Sequence, residues 1–450
     1  MGPSTVLRDF QLPPDLAPPP VSVARRAGFS YRSAAWTPEA LAALAAALGR
    51  GAAMLRMLAD EDLLAAWSAA VEAFLDPAAV ERRSLESALA ALCGLSPEGL
   101  AAGLEAVLGG VRRTSAGAVL ARAADRRAVL AVTRRVAPAG EILPNLPAAP
   151  VLVVLSSNLP ALAVQPLLPI LALRRPVLLK SPSAEPLFAP AFLAALVRRE
   201  PRLAGAVAAA TWPGGDQALE APLLAAAGRV VAYGSQAAVA DLDRRAPGRV
   251  VAYGAKTSIA AVDPDGGAEP RAVAAGLARD VALFDQRGCL SVAAVYLAGD
   301  LGAASQFAHH LEAALAGLAV RWPPGPAAPA VLAAVQQLRL EAELRCLPVS
   351  SLPPAAGTVL VEPEPAFRPS PGLRTVRVHP LPSLDGLCRI LAPWRGRLQG
   401  AALAGAAAWR LAPGLAGLGI SRCSSPGELQ TPDAAWHNGG VDPLQALIEE

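Results

Sequence analysis

The chain has 450 residues, 53% of them hydrophobic, which is enough for two or three domains around a large core and too apolar for a disordered protein. A net charge of +3, with no long run of like charges, leaves no footprint for nucleic acid or an anionic membrane. Cys93, Cys289, Cys346, Cys388 and Cys423 are widely spaced and form no C-x-x-C pair, so they suggest neither a disulfide framework nor a zinc site and fit a reduced compartment.

The first residues lack the charged start and apolar stretch of a signal peptide, so a cytoplasmic protein is expected. Pro13, Pro14, Pro18, Pro19 and Pro20 predict an extended, irregular beginning. From Thr37 to about Val111 apolar residues recur at three and four, the helical period. Thr37-Pro38-Glu39 and Ser96-Pro97-Glu98 each place a capping side chain before a proline at the first helical position. Between Gly117 and Pro150 the pattern predicts strands, with Ala128-Val129-Leu130-Ala131-Val132 as one and a Pro/Asn-rich connection through Pro144, Asn145 and Pro147. Residues 1–116 are therefore read as a helical N-terminal region.

A regular alternation follows. Val151-Leu152-Val153-Val154-Leu155 has the length and continuous apolarity of a parallel strand buried on both faces. Val151 to Leu173 is apolar enough to suggest a membrane span, but Ser156, Ser157, Asn158, Gln165 and three prolines interrupt it, and a buried strand and helix explain it better. Further strands end at Lys180, Thr211 and Tyr233, each before a small or polar turn: Ser181-Pro182-Ser183, Gly214-Gly215 and Gly234-Ser235. Repeated strand, turn and helix predict a doubly wound sheet, which binds ligands outside the carboxyl ends of its strands. Helix N-termini there can hold phosphates through free backbone N–H groups. No G-x-G-x-x-G is present.

Another strand is expected at Ile259-Ala260-Ala261-Val262, then a helix from Pro270 to Val281 that delivers the chain to Phe284-Asp285-Gln286-Arg287-Gly288-Cys289-Leu290-Ser291. Cys289 falls on a loop before a predicted strand, Ser291 to Leu297. A single cysteine is more often a small buried hydrophobe than a nucleophile. Here backbone N–H groups and Arg287, two residues away, are expected to lower the thiol pKa and favour the reactive thiolate. His309 and His310 fall in a helical pattern and are read as surface residues, and His437 is read as structural.

Taken in order, Ser157-Asn158-Leu159-Pro160, Lys180, Gly214-Gly215, Gly234-Ser235, Gly254-Ala255-Lys256 and Cys289 resemble the motifs of the aldehyde dehydrogenase superfamily. Phe284 to Ser291, Gly254 to Ser258 upstream, and Gly419-Ile420-Ser421-Arg422 through Trp436-His437-Asn438-Gly439 narrow the resemblance to one family. It is that of the acyl-CoA reductases typified by the luminescence fatty-acid reductase, a long-chain acyl-protein thioester reductase. Roughly residues 85–450 are covered. The resemblance implies an α/β fold of aldehyde dehydrogenase type. A cofactor domain at 117–255, with 384–450 returning to it, would carry a parallel sheet, and 256–383 would form the α/β catalytic domain.

The resemblance further implies that Cys289 is the nucleophile and that Asn158, with the Cys289 N–H, forms an oxyanion hole. Lys180 would reach the adenosine ribose of a nicotinamide cofactor, and the Gly214-Gly215 and Gly234-Ser235 turns would line it, with Gly234 and Ser235 at the pyrophosphate. Ser183 stands where NAD-selective relatives often carry Glu; without that carboxylate a 2′-phosphate is not repelled, which favours NADPH, with NADH as the alternative. Ala252 stands where hydrolytic relatives carry the Glu that activates water, so a thioacyl-enzyme would survive until hydride arrives. Other departures are the absence of a nicotinamide-ribose Glu near Glu362-Pro363-Glu364, a spacing from Asp285 to Cys289 one residue shorter, and Asn438 where Asp is frequent. The implied donor is acyl-CoA, an acyl-carrier or an acyl-protein, with an acyl-protein synthetase as partner and a homo-oligomer as the assembly. Two alternatives stand beside the reductase: an aldehyde dehydrogenase with its base elsewhere, and a catalytically silent scaffold subunit.

Overall fold

The structure, a computed structural model, describes residues 6–133, 149–267 and 269–448, with side chains through residue 128 in the first stretch. The N-terminal segment is not wholly irregular: β1 (Val21–Arg26) and β2 (Phe29–Ala34) form an antiparallel hairpin. Its two-residue turn, Ala27-Gly28, is left-handed at both positions (φ 47° and 82°), the backbone that matches the twist of paired strands. The prolines end at residue 20, and nothing after them prevents pairing. Before the hairpin, the main chain of Gln11 exchanges two hydrogen bonds with Ala209 and so covers a sheet edge.

Five helices follow: α1 (Pro38–Arg56), α2 (Asp60–Leu75), α3 (Val80–Cys93), α4 (Pro97–Gly109) and α5 (Arg113–Thr133). The Thr37 and Ser96 side chains accept from the N–H groups of Ala40 and Gly99, as the capping pattern predicts. The strand expected at residues 128–132 is instead the last turns of α5. An apolar run of that length fits either element, and a helix already nucleated at Arg113 extends through Ala, Leu and Arg at little cost. Pro144, Asn145 and Pro147 lie outside the described residues.

The next nine elements are β3 (Val151–Val154), α6 (Val164–Ala172), β4 (Val177–Ser181), α7 (Phe188–Arg199), β5 (Val207–Thr211), α8 (Gln217–Ala226), β6 (Arg229–Tyr233), α9 (Gln236–Arg245) and β7 (Val250–Tyr253). Their strands form a parallel sheet in the order β5-β4-β3-β6-β7. The first strand is central, and the winding direction reverses between β3 and β6, a topological switch point. The helical region is seated on this sheet: Trp67 and Phe74 of α2 meet Phe192 and Phe188 of α7 with ring centroids 5.4 and 5.3 Å apart.

A second parallel sheet, ordered β10-β11-β9-β8-β12-β13, holds the rest. Its elements are β8 (Thr257–Val262), α10 (Pro270–Ala282), β9 (Val292–Ala298), α11 (Leu301–Arg321), α12 (Pro329–Leu344), β10 (Thr358–Val361), β11 (Thr375–Leu381), β12 (Leu398–Ala404) and β13 (Arg422–Ser424). Residues 384–450 were expected to return to the first sheet, but β12 pairs with β8 and β13 with β12, so both belong to the second. Only the end of the segment, through Leu444 and Leu447, enters the first sheet's core. A strand in this segment is apolar whichever sheet receives it, so its sequence does not name its neighbour. Among the described residues no single helix is long and apolar enough to cross a membrane.

Candidate active site

Cys289 lies where α10 ends and β9 begins, on a loop whose backbone is unusual. Phe284, Asp285 and Gln286 are all left-handed, at φ 58°, 50° and 63°. Each such residue costs on the order of 1–3 kcal/mol, so the surroundings must impose the conformation. Asp285 Oδ1 accepts from Nε (3.0 Å) and Nη2 (2.7 Å) of the buried Arg374, while Oδ2 accepts from the Gly325 N–H. Gln286 spans two strands: its Nε2 donates to the Val292 and Thr375 carbonyls, and its Oε1 accepts from the Thr375 N–H and the Ser370 hydroxyl. Every donor and acceptor of that amide is matched.

Arg287 turns away from the thiol. Its guanidinium donates to the carbonyls of Phe284, Cys93 and Gly94, the latter two at the C-terminal, partially negative end of α3. The sequence expectation that Arg287 lowers the thiol pKa is therefore not met; the residue instead ties the loop to the helical region. Gly288 packs closely on the C-terminal segment: a Cβ there would lie 2.6 Å from Gln430 Oε1 and would displace that amide. The Ser258 hydroxyl donates to the Cys289 carbonyl at 2.9 Å.

Cys289 is half-buried. Burial pushes its thiol up to about 11, opposed by its own backbone N–H, the charge of Lys256 and the Leu290 N–H. Asn158 follows β3 at the switch point. Its Oδ1 accepts from the Ser156 hydroxyl at 2.5 Å and its Nδ2 donates to the Arg287 carbonyl at 3.0 Å. An amide nitrogen has two hydrogens, so one remains for a ligand.

Cys289, Asn158, Gly234 and Ser235 line one cavity of about 620 Å³. Ser235 also caps α9, accepting from the Ala238 N–H, so that helix begins at the cavity wall. Lys180, Ser183, Gly214 and Gly215 do not line it. Lys180 lies near the end of β4 with Ser183 just beyond it, and Gly214 and Gly215 follow β5 on the same carboxyl edge; Lys180 is buried with Nζ 5.2 Å from the centroid of Trp212, and Ser183 is exposed. Burial lowers the Lys180 ammonium, and Glu220 partly offsets this.

Among the described residues, no Asp, Glu or His lines the cavity. Ala252, an exposed residue of β7, does line it. His379 is buried on β11, with Nδ1 against the Glu362 and Glu364 carbonyls and its ring stacked on Tyr296. His437 lies by Arg122 and does not itself line the cavity. Sequence reading missed Tyr233 and Tyr253, stacked 4.8 Å apart in the wall, and Gln430, whose amide fastens the C-terminal segment to the Asp280 carbonyl. The tyrosines end adjacent parallel strands and were legible as such; Gln430 carries no local signal.

The family model described as acyl-CoA reductase (LuxC) matches residues 58–450. The chain belongs to that family. LuxC-family membership makes it an oxidoreductase acting on acyl groups or aldehydes. Solved structures with the same fold include aldehyde dehydrogenase 21 from Physcomitrella patens (11% identity, TM-score 0.71, 99% of this chain and 96% of that one covered). An oxidoreductase from Marinobacter aquaeolei is similar at 14% identity and TM-score 0.69, covering 96% and 94%. The indole-3-acetaldehyde dehydrogenase AldA of P. syringae, solved with NAD+ and IAA, is similar at 15% identity and TM-score 0.62, covering 89% and 83%. These likenesses establish the aldehyde dehydrogenase-like fold. No curated protein matches the sequence significantly.

Proposed function

We propose that this LuxC-family chain reduces an acyl thioester to the aldehyde with NADPH, through a thioacyl group on Cys289. The carrying observation is a cavity that combines a thiol and amide donors with no carboxylate or imidazole among the described residues. Thiolate attack on a thioester carbonyl places negative charge on oxygen, which the second Asn158 Nδ2 hydrogen and the Cys289 N–H are suited to receive. Among the described residues water entering the site meets no carboxylate or imidazole base, and Ala252 offers none, so the thioacyl group is not hydrolysed readily. Apolar wall residues such as Leu159, Leu162, Phe284, Leu290 and Trp436 suit a fatty acyl chain.

The residues fit a dinucleotide: the α9 start with Gly234 and Ser235 opens into the switch-point cavity, and Lys180, Ser183 and the Gly214-Gly215 turn continue the same edge. AldA, a structural relative, was solved with NAD+. Ser183, which is exposed, brings no carboxylate of its own against a 2′-phosphate, and this favours NADPH over NADH. A dihydronicotinamide held along this edge would supply the hydride for the acyl carbon. The Asn158 amide then holds the oxygen of the resulting thiohemiacetal until it collapses and Cys289 leaves. The acyl donor is acyl-CoA, an acyl-carrier or an acyl-protein, a synthetase partner and a homo-oligomer are in keeping with the family, and the location is cytoplasmic.

Mixing the purified protein with NADPH and a long-chain acyl-CoA, with any aldehyde trapped as it forms, tests this reading. NADPH loss equal to aldehyde formed is the expected result. NAD(P)H formed from aldehyde with release of acid would replace it by the dehydrogenase reading, and silence with acyl-CoA and acyl-protein donors alike by the scaffold reading.

A further inference from the structure

Lys256 ends the connection between β7 and β8, where the chain passes from one sheet to the other, and it lines the cavity that holds Cys289. Its place relative to the nucleophile is fixed from nearby, because Ser258, two residues on, bonds the Cys289 carbonyl. On its far side Gly439 makes room: a Cβ on that glycine would lie 3.3 Å from Lys256 Nζ. Among the described residues Lys256 forms no hydrogen bond or ion pair, and no carboxylate lines the cavity to neutralise it.

The other groups facing this space do not substitute for it. Arg287 is spent on the Phe284, Cys93 and Gly94 carbonyls. Tyr233 and Tyr253, from the ends of β6 and β7, are neutral phenols whose ionisation burial pushes up, while Asp442 beyond them is paired with Arg122. The C-terminal segment contributes Gln430, Pro432, Trp436, Asn438, Gly439 and Val441 to the wall, none of them charged. Burial lowers the Lys256 ammonium and Cys289 raises it, the reciprocal of the effect of Lys256 on the thiol.

We infer that Lys256 is the electrostatic partner that eases ionisation of Cys289 and stabilises its thiolate, a positioning charge that acts through the nucleophile. The inference rests on the reading of Cys289 as nucleophile. The thiol proton goes to solvent and the ammonium keeps its own. In attack, the sulfur pair forms the S–C bond and the carbonyl pair moves to oxygen. When the carbonyl re-forms, the donor thiol leaves with its bonding pair and takes a proton from solvent. After hydride from a dihydronicotinamide reaches the acyl carbon, the oxygen pair re-forms the carbonyl, and the C–S bond breaks to return its pair to Cys289. One cation thus stabilises the same thiolate first as nucleophile and then as leaving group, and among the described residues no carboxylate lines the cavity to compete for it.

The test is the pH profile of Cys289 alkylation by neutral iodoacetamide, followed on the Cys289 peptide by mass spectrometry so that exposed Cys346 does not contribute. It needs neither acyl donor nor cofactor, so its failure is separable from failure of the reductase reading. Lys256→Gln and Lys256→Met are both made, so that misfolding of one leaves the other, and Lys256→Arg serves as the rescue. The neutral variants are expected to shift the midpoint up by about one unit, which is about tenfold slower alkylation below it, with Lys256→Arg within about threefold of wild type. An unchanged midpoint in the neutral variants, or equal slowing in all three, overturns the inference.

Discussion

Replacing Cys289 by Ala is expected to lower aldehyde formation by ~10⁴-fold or more, the scale on which loss of an attacking nucleophile is felt. The other loops that line the cavity are built independently of the thiol. Gln286 is held by Val292, Thr375 and Ser370, Asn158 by Ser156 and Arg287, and Ser235 by its own helix. NADPH binding, followed by fluorescence, should therefore stay within about threefold of wild type while acyl transfer to the protein disappears. Turnover retained by the variant would remove Cys289 from the mechanism, and cofactor binding lost with it would make the residue structural.

Replacing Arg374 by Met should have the largest effect on stability, about 3–5 kcal/mol, because it leaves the Asp285 carboxylate buried without its cation. Arg374 is 1% exposed, bonds Asp285 Oδ1 twice and also donates to the Trp322 carbonyl. The pair sits where Phe284, Asp285 and Gln286 are held left-handed, so losing it also frees the loop that presents Cys289. Urea unfolding measures the loss. Asp285→Asn combined with Arg374→Met should recover a substantial part of it, since the orphaned charge is then gone. A single variant destabilised by less than about 1 kcal/mol would mean that the ion pair does not hold the loop.

Much of this was legible in the sequence, for identifiable reasons. Strands β3 to β6 are continuous apolar runs closed by Ser, Gly or Pro turns, a pattern that parallel burial produces and little else does. The position of Cys289, after a helix and before a strand, followed from the same alternation. What failed was pairing and context. Residues 128–132 are apolar enough for either element, and only the helix already under way at Arg113 decides between them. Strands β12 and β13 gave no sign of which sheet would accept them. The hairpin at residues 21–34 was hidden by the prolines before it. Arg287 is near Cys289 in sequence but is drawn to the end of α3, whereas Lys256, 33 positions before Cys289, faces the same cavity. Asp285–Arg374 and Gln430 likewise act across long separations that no local pattern encodes.

The central claim is an acyl group that reaches Cys289 and is not given to water. Wild-type protein incubated with a long-chain acyl-CoA and no nicotinamide should release one thiol per active site and then stop. The Cys289 peptide should carry the acyl mass, and no free acid should accumulate until cofactor is added. Continuous release of thiol and fatty acid, or an acyl mass on another residue with Cys289 free, would contradict it.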